Sequence, residues 1–109
     1  KAQTMKQYLV KITDEALADM ERLYHYIACD LQSPEYALAQ YNRIAEKIMK
    51  LSVFPKRYRL VKGKTAGSKE IRRMPVDNYL IFYLIKNEEV YVINVLYHAV
   101  NHRNHLNRI

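Results

Sequence analysis

The start of the chain alternates apolar and polar residues and then changes to a helical spacing. Residues 6–12 follow a two-residue period, which predicts a β-strand. Thr13 and Asp14 come next and offer side-chain oxygens that suit a helix N-cap. Apolar residues then recur at steps of three and four, which predicts an amphipathic helix. The positions on its apolar face are Leu17, Met20, Tyr24, Ile27 and Leu31.

A second helical pattern follows a restart signal at residues 33–35. The sequence Ser-Pro-Glu combines a capping serine, a proline at the first helical position and an acid. Pro55 ends the pattern, and a short connection centred on Gln32 separates it from the first helix. We therefore expect an antiparallel helical hairpin. The predicted buried positions of the second helix are Ala37, Tyr41, Ile44, Ile48 and Leu51.

Three further strands are predicted in the second half of the chain, at residues 71–76, 79–85 and 90–96. The middle one is a nearly continuous apolar run, as expected of a central strand. Turn-forming residues separate the strands at 77–78 and 86–89. The predicted element order is therefore β-α-α-β-β-β. We expect an α+β fold in which a helical hairpin packs on a small antiparallel sheet.

The composition fits a single domain that needs no cofactor. The chain has 109 residues, half of them hydrophobic, which is enough for one core. It contains only two glycines, which excludes a glycine-rich nucleotide loop. We expect a single domain over residues 5–109, because Met5 can serve as the natural start, with residues 1–4 as an addition ahead of it.

Cysteine content and hydropathy favour the cytoplasm. Cys29 is the only cysteine, so no internal disulfide can form and a reducing compartment is predicted. We expect Cys29 to be a small buried residue on the first helix. No run of about 18 apolar residues is present, and the polar start lacks a secretory signal. We therefore expect no membrane partner.

The net charge of +7 arises entirely in the second half of the chain. Residues 1–54 carry equal numbers of basic and acidic side chains, whereas residues 56–73 contain a single acid, Glu70. A block of this kind is typical of a surface that binds a polyanion or an acidic protein, and the alternative is a solvated loop. This basic block consists of Lys56, Arg57, Arg59, Lys62, Lys64, Lys69, Arg72 and Arg73.

Four segments, in this order and spacing, resemble the RelE/ParE toxin superfamily. Residues 16–28 are similar to its first helix, and residues 51–55, with the sequence Leu-Ser-Val-Phe-Pro, to the end of its second helix. Residues 72–83 resemble its paired central strands, and residues 95–98 its final strand. The resemblance covers nearly the whole domain. It implies the toxin of a bacterial type II toxin–antitoxin system, with a cognate antitoxin as its partner.

The superfamily has two branches with different targets. The RelE-like branch implies an enzyme that cleaves messenger RNA on the ribosome, and only in that branch would Arg73 and His98 be catalytic. The ParE-like branch implies inhibition of DNA gyrase without catalysis. Leu80 and His98 stand where the RNA-cleaving branch typically has arginines, and Asn104 stands where it has a tyrosine. We therefore expect the ParE-like branch. A third alternative is a non-toxic basic module that binds nucleic acid.

Aromatic residues among the cations favour a binding role. Tyrosine gives a large contact area at low entropic cost, and cations interleaved with an aromatic ring also suit single-stranded nucleic acid. The residues predicted to bind the antitoxin or the target are Lys56, Arg57, Tyr58, Arg59, Arg72, Arg73 and Tyr97. Tyr24, Tyr41 and Tyr79 are predicted in or beside the core, and Tyr26, Tyr36, Tyr58 and Tyr97 away from it.

Three histidines near the end of the sequence have a spacing that zinc sites also use. His98, His102 and His105 would share one face of a helix. Neither a cysteine nor a carboxylate lies nearby to complete the ligand set. We therefore predict no metal site.

Overall fold

A computed structural model describes residues 6–98 as a sheet with two helices packed on one face. Strand β1 is Leu9–Ile12, helix α1 is Asp14–His25 and helix α2 is Pro34–Met49. The other strands are β2, Leu60–Ala66; β3, Lys69–Val76; β4, Tyr79–Lys86; and β5, Glu89–Tyr97. A π-helical turn, Tyr26–Asp30, extends α1, and 3-10 turns follow α2 at Lys50–Ser52 and Pro55–Arg57.

The strands are ordered β1-β5-β4-β3-β2, and β1 pairs parallel with β5 while all other neighbours are antiparallel. The predicted α+β class with a helical hairpin on the sheet is confirmed. Two details differ: the sheet is mixed where an antiparallel sheet was expected, and β2 forms within the basic block, where no strand was predicted. No alternating pattern marks β2, because Lys62 to Thr65 are all exposed and a register shift against β3 interrupts the pairing.

The two helices close the core against the sheet. The predicted face of α2 is confirmed, with Ala37, Ile44 and Ile48 fully buried. In α1 the buried face is rotated from the predicted one, since Leu17 and Leu31 are 40% and 55% exposed. The rotation brings Asp19 inward, where β5 supplies its hydrogen-bond donors. The residues that α1 and its π-helical turn contribute to the core are Ala16, Met20, Leu23 and Ile27.

The helix boundaries depend on local side-chain chemistry. Thr13 caps α1 as predicted, because its Oγ1 accepts a hydrogen bond from the amide of Ala16 at 3.2 Å. Ser33 makes no side-chain cap to α2, since its ψ of 70° departs from the extended ψ of 163° at Thr13. Cys29 is exposed, contrary to the prediction. It lies in the π-helical turn, which changes the phase of the residues that follow α1.

Candidate functional site

A basic cavity lies on the face of the sheet opposite the helices. Met74 and Ile81 point into the core, so alternation along β3 and β4 directs Pro75 and Leu80 to the open face. The cavity has a volume of about 550 Å³. None of the described residues that line it is acidic. We call it the basic cavity, and its lining residues are Arg57, Tyr58, Arg59, Arg73, Pro75, Leu80 and His98.

The chain corner before β2, residues 55–59, brings three of these residues to the cavity, and the side chains of Tyr83 and Arg72 hold its main chain. The Tyr83 hydroxyl donates to the Pro55 carbonyl at 2.5 Å. The Arg72 guanidinium donates to the carbonyls of Lys56 and Tyr58 at 3.1 and 2.7 Å. Arg72 was predicted to bind a partner, but these bonds hold its side chain against the corner, outside the basic cavity.

Tyr83 is the buried part of this support. Its side chain lies fully within the core, and burial raises the pKa of its phenol to about 12. The neighbouring guanidinium groups of Arg72 and Arg57 oppose this rise only in part. The hydroxyl therefore remains protonated and keeps donating to the corner over the physiological pH range.

The basic side chains that line the cavity come from three chain segments. The Arg57 guanidinium stacks over the Tyr58 ring at 4.9 Å, and the amide of Arg73 donates to the carbonyl of Arg59 at 3.0 Å. His98 joins them from the end of β5, where its amide donates to the Asn78 carbonyl. Lys56 is exposed beside the cavity and does not line it.

Leu80 limits what this arrangement can do chemically. It is only 8% exposed and, together with Pro75, gives the basic cavity an apolar floor. Guanidinium groups around such a floor can hold a phosphate or a carboxylate. Acid–base chemistry in the cavity would depend on His98, which supplies the one imidazole among the lining side chains.

A second surface lies on the helix side of the sheet, and we call it the tyrosine groove. Its volume is about 620 Å³. Tyr26, Tyr36 and Tyr97 are each more than half exposed there, as predicted, and the rings of Tyr79 and Tyr97 are 5.6 Å apart. Tyr97 therefore belongs to this groove and not to the basic cavity. The groove is lined by Asp19, Arg22, Leu23, Tyr26, Leu31, Tyr36, Gln40, Asn78, Tyr79, Val95, Leu96 and Tyr97.

The three tyrosines predicted in or beside the core lie there. Tyr24, Tyr41 and Tyr79 are partly buried against the core, and the rings of Tyr24 and Tyr41 are 6.1 Å apart. Tyr58 was predicted away from the core but packs partly against it, and its remaining surface lines the basic cavity.

An ion-pair network at the edge of the tyrosine groove was not predicted. The carboxylate of Asp77, in the turn between β3 and β4, accepts from Arg43 Nε and Nη2 at 2.8 and 2.6 Å and from Gln40 at 2.9 Å. The hydrogen bonds from Arg43 and Gln40 lower the pKa of Asp77. No sequence pattern marks these partners, because 34 residues separate Arg43 from Asp77.

The described residues contain no group of three or more metal-ligating side chains. Of the three histidines with zinc-like spacing, only His98 lies within residues 6–98; His102 and His105 lie outside the described residues, as does Asn104. No helix in the described part of the chain is long and apolar enough to cross a membrane.

The helical hairpin and the mixed sheet together form a small α+β domain with the RelE/ParE fold. The family described as "ParE toxin of type II toxin-antitoxin system, parDE" matches residues 10–101. The chain therefore belongs to the ParE toxin family of type II toxin–antitoxin systems. No curated protein sequence matches it significantly.

Solved structures of toxin–antitoxin systems share the fold. The chromosomal ParDE system from P. aeruginosa aligns with a TM-score of 0.68 and 20% identity over 85% of this chain and 98% of that chain. The RelBE2 complex from Mycobacterium tuberculosis gives 0.59 and 22% over 90% and 99%. The archaeal RelE-RelB complex from Pyrococcus horikoshii OT3 gives 0.55 and 17% over 84% and 94%. At these identities the likeness concerns the fold alone.

Proposed function

We propose that this toxin arrests bacterial growth by inhibiting DNA gyrase, and that a cognate antitoxin neutralises it. The observation that carries the choice of target is Leu80. Its side chain occupies the floor of the basic cavity, at the position where RNA-cleaving relatives typically have an arginine. A leucine cannot stabilise the charge that develops on a phosphate during RNA cleavage.

The test is expression of the chain in a susceptible bacterial host. We expect growth arrest with induction of the DNA-damage response, relieved by the antitoxin encoded beside the toxin gene. Primer extension on ribosome-bound messenger RNA should show no new cuts. Normal growth at high levels of folded protein would contradict the toxic role of this chain.

A second candidate function is ribosome-dependent cleavage of messenger RNA. It is favoured by the presence of Arg73 and His98 in one cavity, since a cation and an imidazole are two of the groups that such a reaction uses. Discrete cuts that disappear in both Arg73→Ala and His98→Ala would assign the protein to this enzymatic branch. The third candidate, a non-toxic nucleic-acid-binding module, would require binding without growth arrest.

The antitoxin has two surfaces available to it. The solved relatives include toxin–antitoxin complexes, which supports a protein partner for this chain. The basic cavity suits acidic side chains of that partner, and the tyrosine groove suits apolar anchors. A disordered antitoxin segment that folds on binding would contact both surfaces from one chain.

A further inference from the structure

Asp19 is a buried carboxylate on the otherwise apolar inner face of α1. It is 6% exposed and lies close to Ala16, Met20 and Leu23 in the helix. A charge in such a place is costly unless hydrogen bonds satisfy it. A leucine there would extend the apolar face, so the carboxylate is explained by what it binds and not by packing.

Its partners are found on β5 and in its own helix. Asp19 Oδ2 accepts from the amide of Val95 at 2.8 Å and from the Asn94 side-chain nitrogen at 3.0 Å. Asp19 Oδ1 accepts from the Arg22 guanidinium. The carboxylate thus contacts the main chain of β5 directly, 76 residues away in sequence.

These contacts lie at a break in the alternation of β5. Tyr83 pairs with Val92, and the preceding residue Phe82 pairs with Asn94, so Ile93 is an extra residue in β5. This arrangement is a β-bulge. The bulge has support from α1 on both sides, because the amide and hydroxyl of its N-cap, Thr13, donate to the Val92 carbonyl at 3.0 and 2.9 Å.

The bulge determines which face each later residue of β5 occupies. Val90, Val92 and Val95 are buried, so the inward positions change from even to odd numbers at the bulge. Tyr97 consequently lies on the helix side, in the tyrosine groove, and His98 lies at the basic cavity. In a regular strand with this sequence, the two side chains would exchange faces.

We propose that Asp19 is a positioning residue: its carboxylate fixes the β5 bulge and thereby holds Tyr97 in the tyrosine groove and His98 at the basic cavity. The effect on toxicity and antitoxin binding rests on the proposed function, whereas the effect on geometry does not. The hydrogen bonds that Asp19 makes to β5 go to Asn94 and to the main chain at Val95, so its effect on Tyr97 and His98 passes through the strand.

The test removes the carboxylate from position 19. Asp19→Ala leaves the Val95 amide and the Asn94 side chain without the Oδ2 atom to which both donate. Asn94→Ala removes only one of these two donors and leaves the bond from the Val95 amide in place, so it separates the side-chain contact from the main-chain contact. Asp14→Asn, an exposed acid in the same helix, is the matched control.

The measurements are amide hydrogen exchange and nuclear Overhauser contacts in the folded variants. Asp19→Ala should accelerate exchange at Val95 about tenfold or more relative to amides of β3, and should weaken the Tyr79–Tyr97 contacts and those of His98 with Leu80. Asn94→Ala should change both readouts less, and Asp14→Asn should leave them unchanged. If Asp19→Ala does not fold, the readouts are taken from Asp19→Asn, whose amide nitrogen would lie against the Arg22 guanidinium, and the same direction of change is expected.

Two results would overturn the positioning role. One is a uniform acceleration of exchange throughout the sheet, with the contacts of Tyr97 and His98 unchanged. The other is unchanged exchange at Val95, with unchanged contacts of Tyr97 and His98, in Asp19→Ala. Growth arrest is measured in parallel. If the parent chain does not arrest growth, only the proposed function is contradicted, because the hydrogen-exchange and contact data do not depend on toxicity.

Discussion

At the scale of single residues, the hydroxyl of Tyr83 supports the corner that carries the basic cavity. Tyr83→Phe removes the donor to the buried Pro55 carbonyl, so we expect a loss of about 1–2 kcal/mol in the free energy of unfolding. Urea denaturation measures this loss. Tyr26→Phe, at a position that is 54% exposed, is the control and should change stability by less than about 0.5 kcal/mol. Equal effects of the two substitutions would refute the supporting role.

Ionisation of the Tyr83 phenol should lower the stability of the protein at alkaline pH. Its folded pKa of about 12 lies above the value of about 10 for an unfolded tyrosine. Its contribution is therefore fully present below pH 10 and is lost as the pH rises toward 12. Denaturation midpoints measured across this window should fall more steeply for the parent than for Tyr83→Phe. Parallel curves would show that Tyr83 is not the titrating group.

The contribution of Asp77 to stability is lost at low pH, whereas that of Tyr83 is lost at high pH. Because Arg43 and Gln40 lower its folded pKa, its contribution is present above the unfolded pKa and is lost as the pH falls through the folded value. Arg43→Gln should raise the carboxyl pKa of Asp77, as measured by NMR titration. Lys47→Gln removes a charge that acts only at a distance and should raise it less. A larger shift for Lys47→Gln would contradict the assigned network.

At the scale of elements, two arginines at the corner before β2 have different roles, one in stability and one in binding. Arg72 donates to two corner carbonyls, so Arg72→Gln should cost about 1–2 kcal/mol of stability. Arg59→Gln should leave thermal unfolding nearly unchanged but should weaken binding of the antitoxin, since Arg59 lines the basic cavity. Differential scanning calorimetry together with antitoxin titration distinguishes them. Equal stability losses would mean that both arginines support the fold.

The helices and central strands were predictable because one buried face imposes a period on the sequence. Strand β2 was not predictable, since an exposed edge strand imposes no such period on the sequence. The gathering of Arg57, Tyr58 and Arg59 followed from their adjacency in sequence. Which face Tyr97 and His98 occupy could not be predicted, because it depends on a bulge that a residue 76 positions away supports.

At the scale of the whole molecule, the two surfaces should contribute differently to antitoxin binding. Charge reversal of Arg57, Arg59 and Arg73 should slow association and flatten its dependence on salt, because charges act over about 8 Å at physiological ionic strength. Stopped-flow binding at several salt concentrations measures this effect. Unchanged association at low salt would mean that the basic cavity does not recruit the antitoxin.

The tyrosine groove should govern dissociation instead. Tyr97→Ala removes an exposed aromatic anchor, so we expect dissociation to accelerate about tenfold with little change in the association rate. Tyr91→Ala, outside the groove, is the matched control. Equal acceleration in both variants would exclude the groove as the anchoring surface.

Purified toxin and purified DNA gyrase test the choice of target. We predict that the toxin inhibits supercoiling of relaxed plasmid DNA, that stoichiometric antitoxin restores supercoiling, and that the same toxin leaves ribosome-bound messenger RNA intact. Full supercoiling activity at a large excess of folded toxin, accompanied by cuts in the messenger RNA, would contradict inhibition of gyrase.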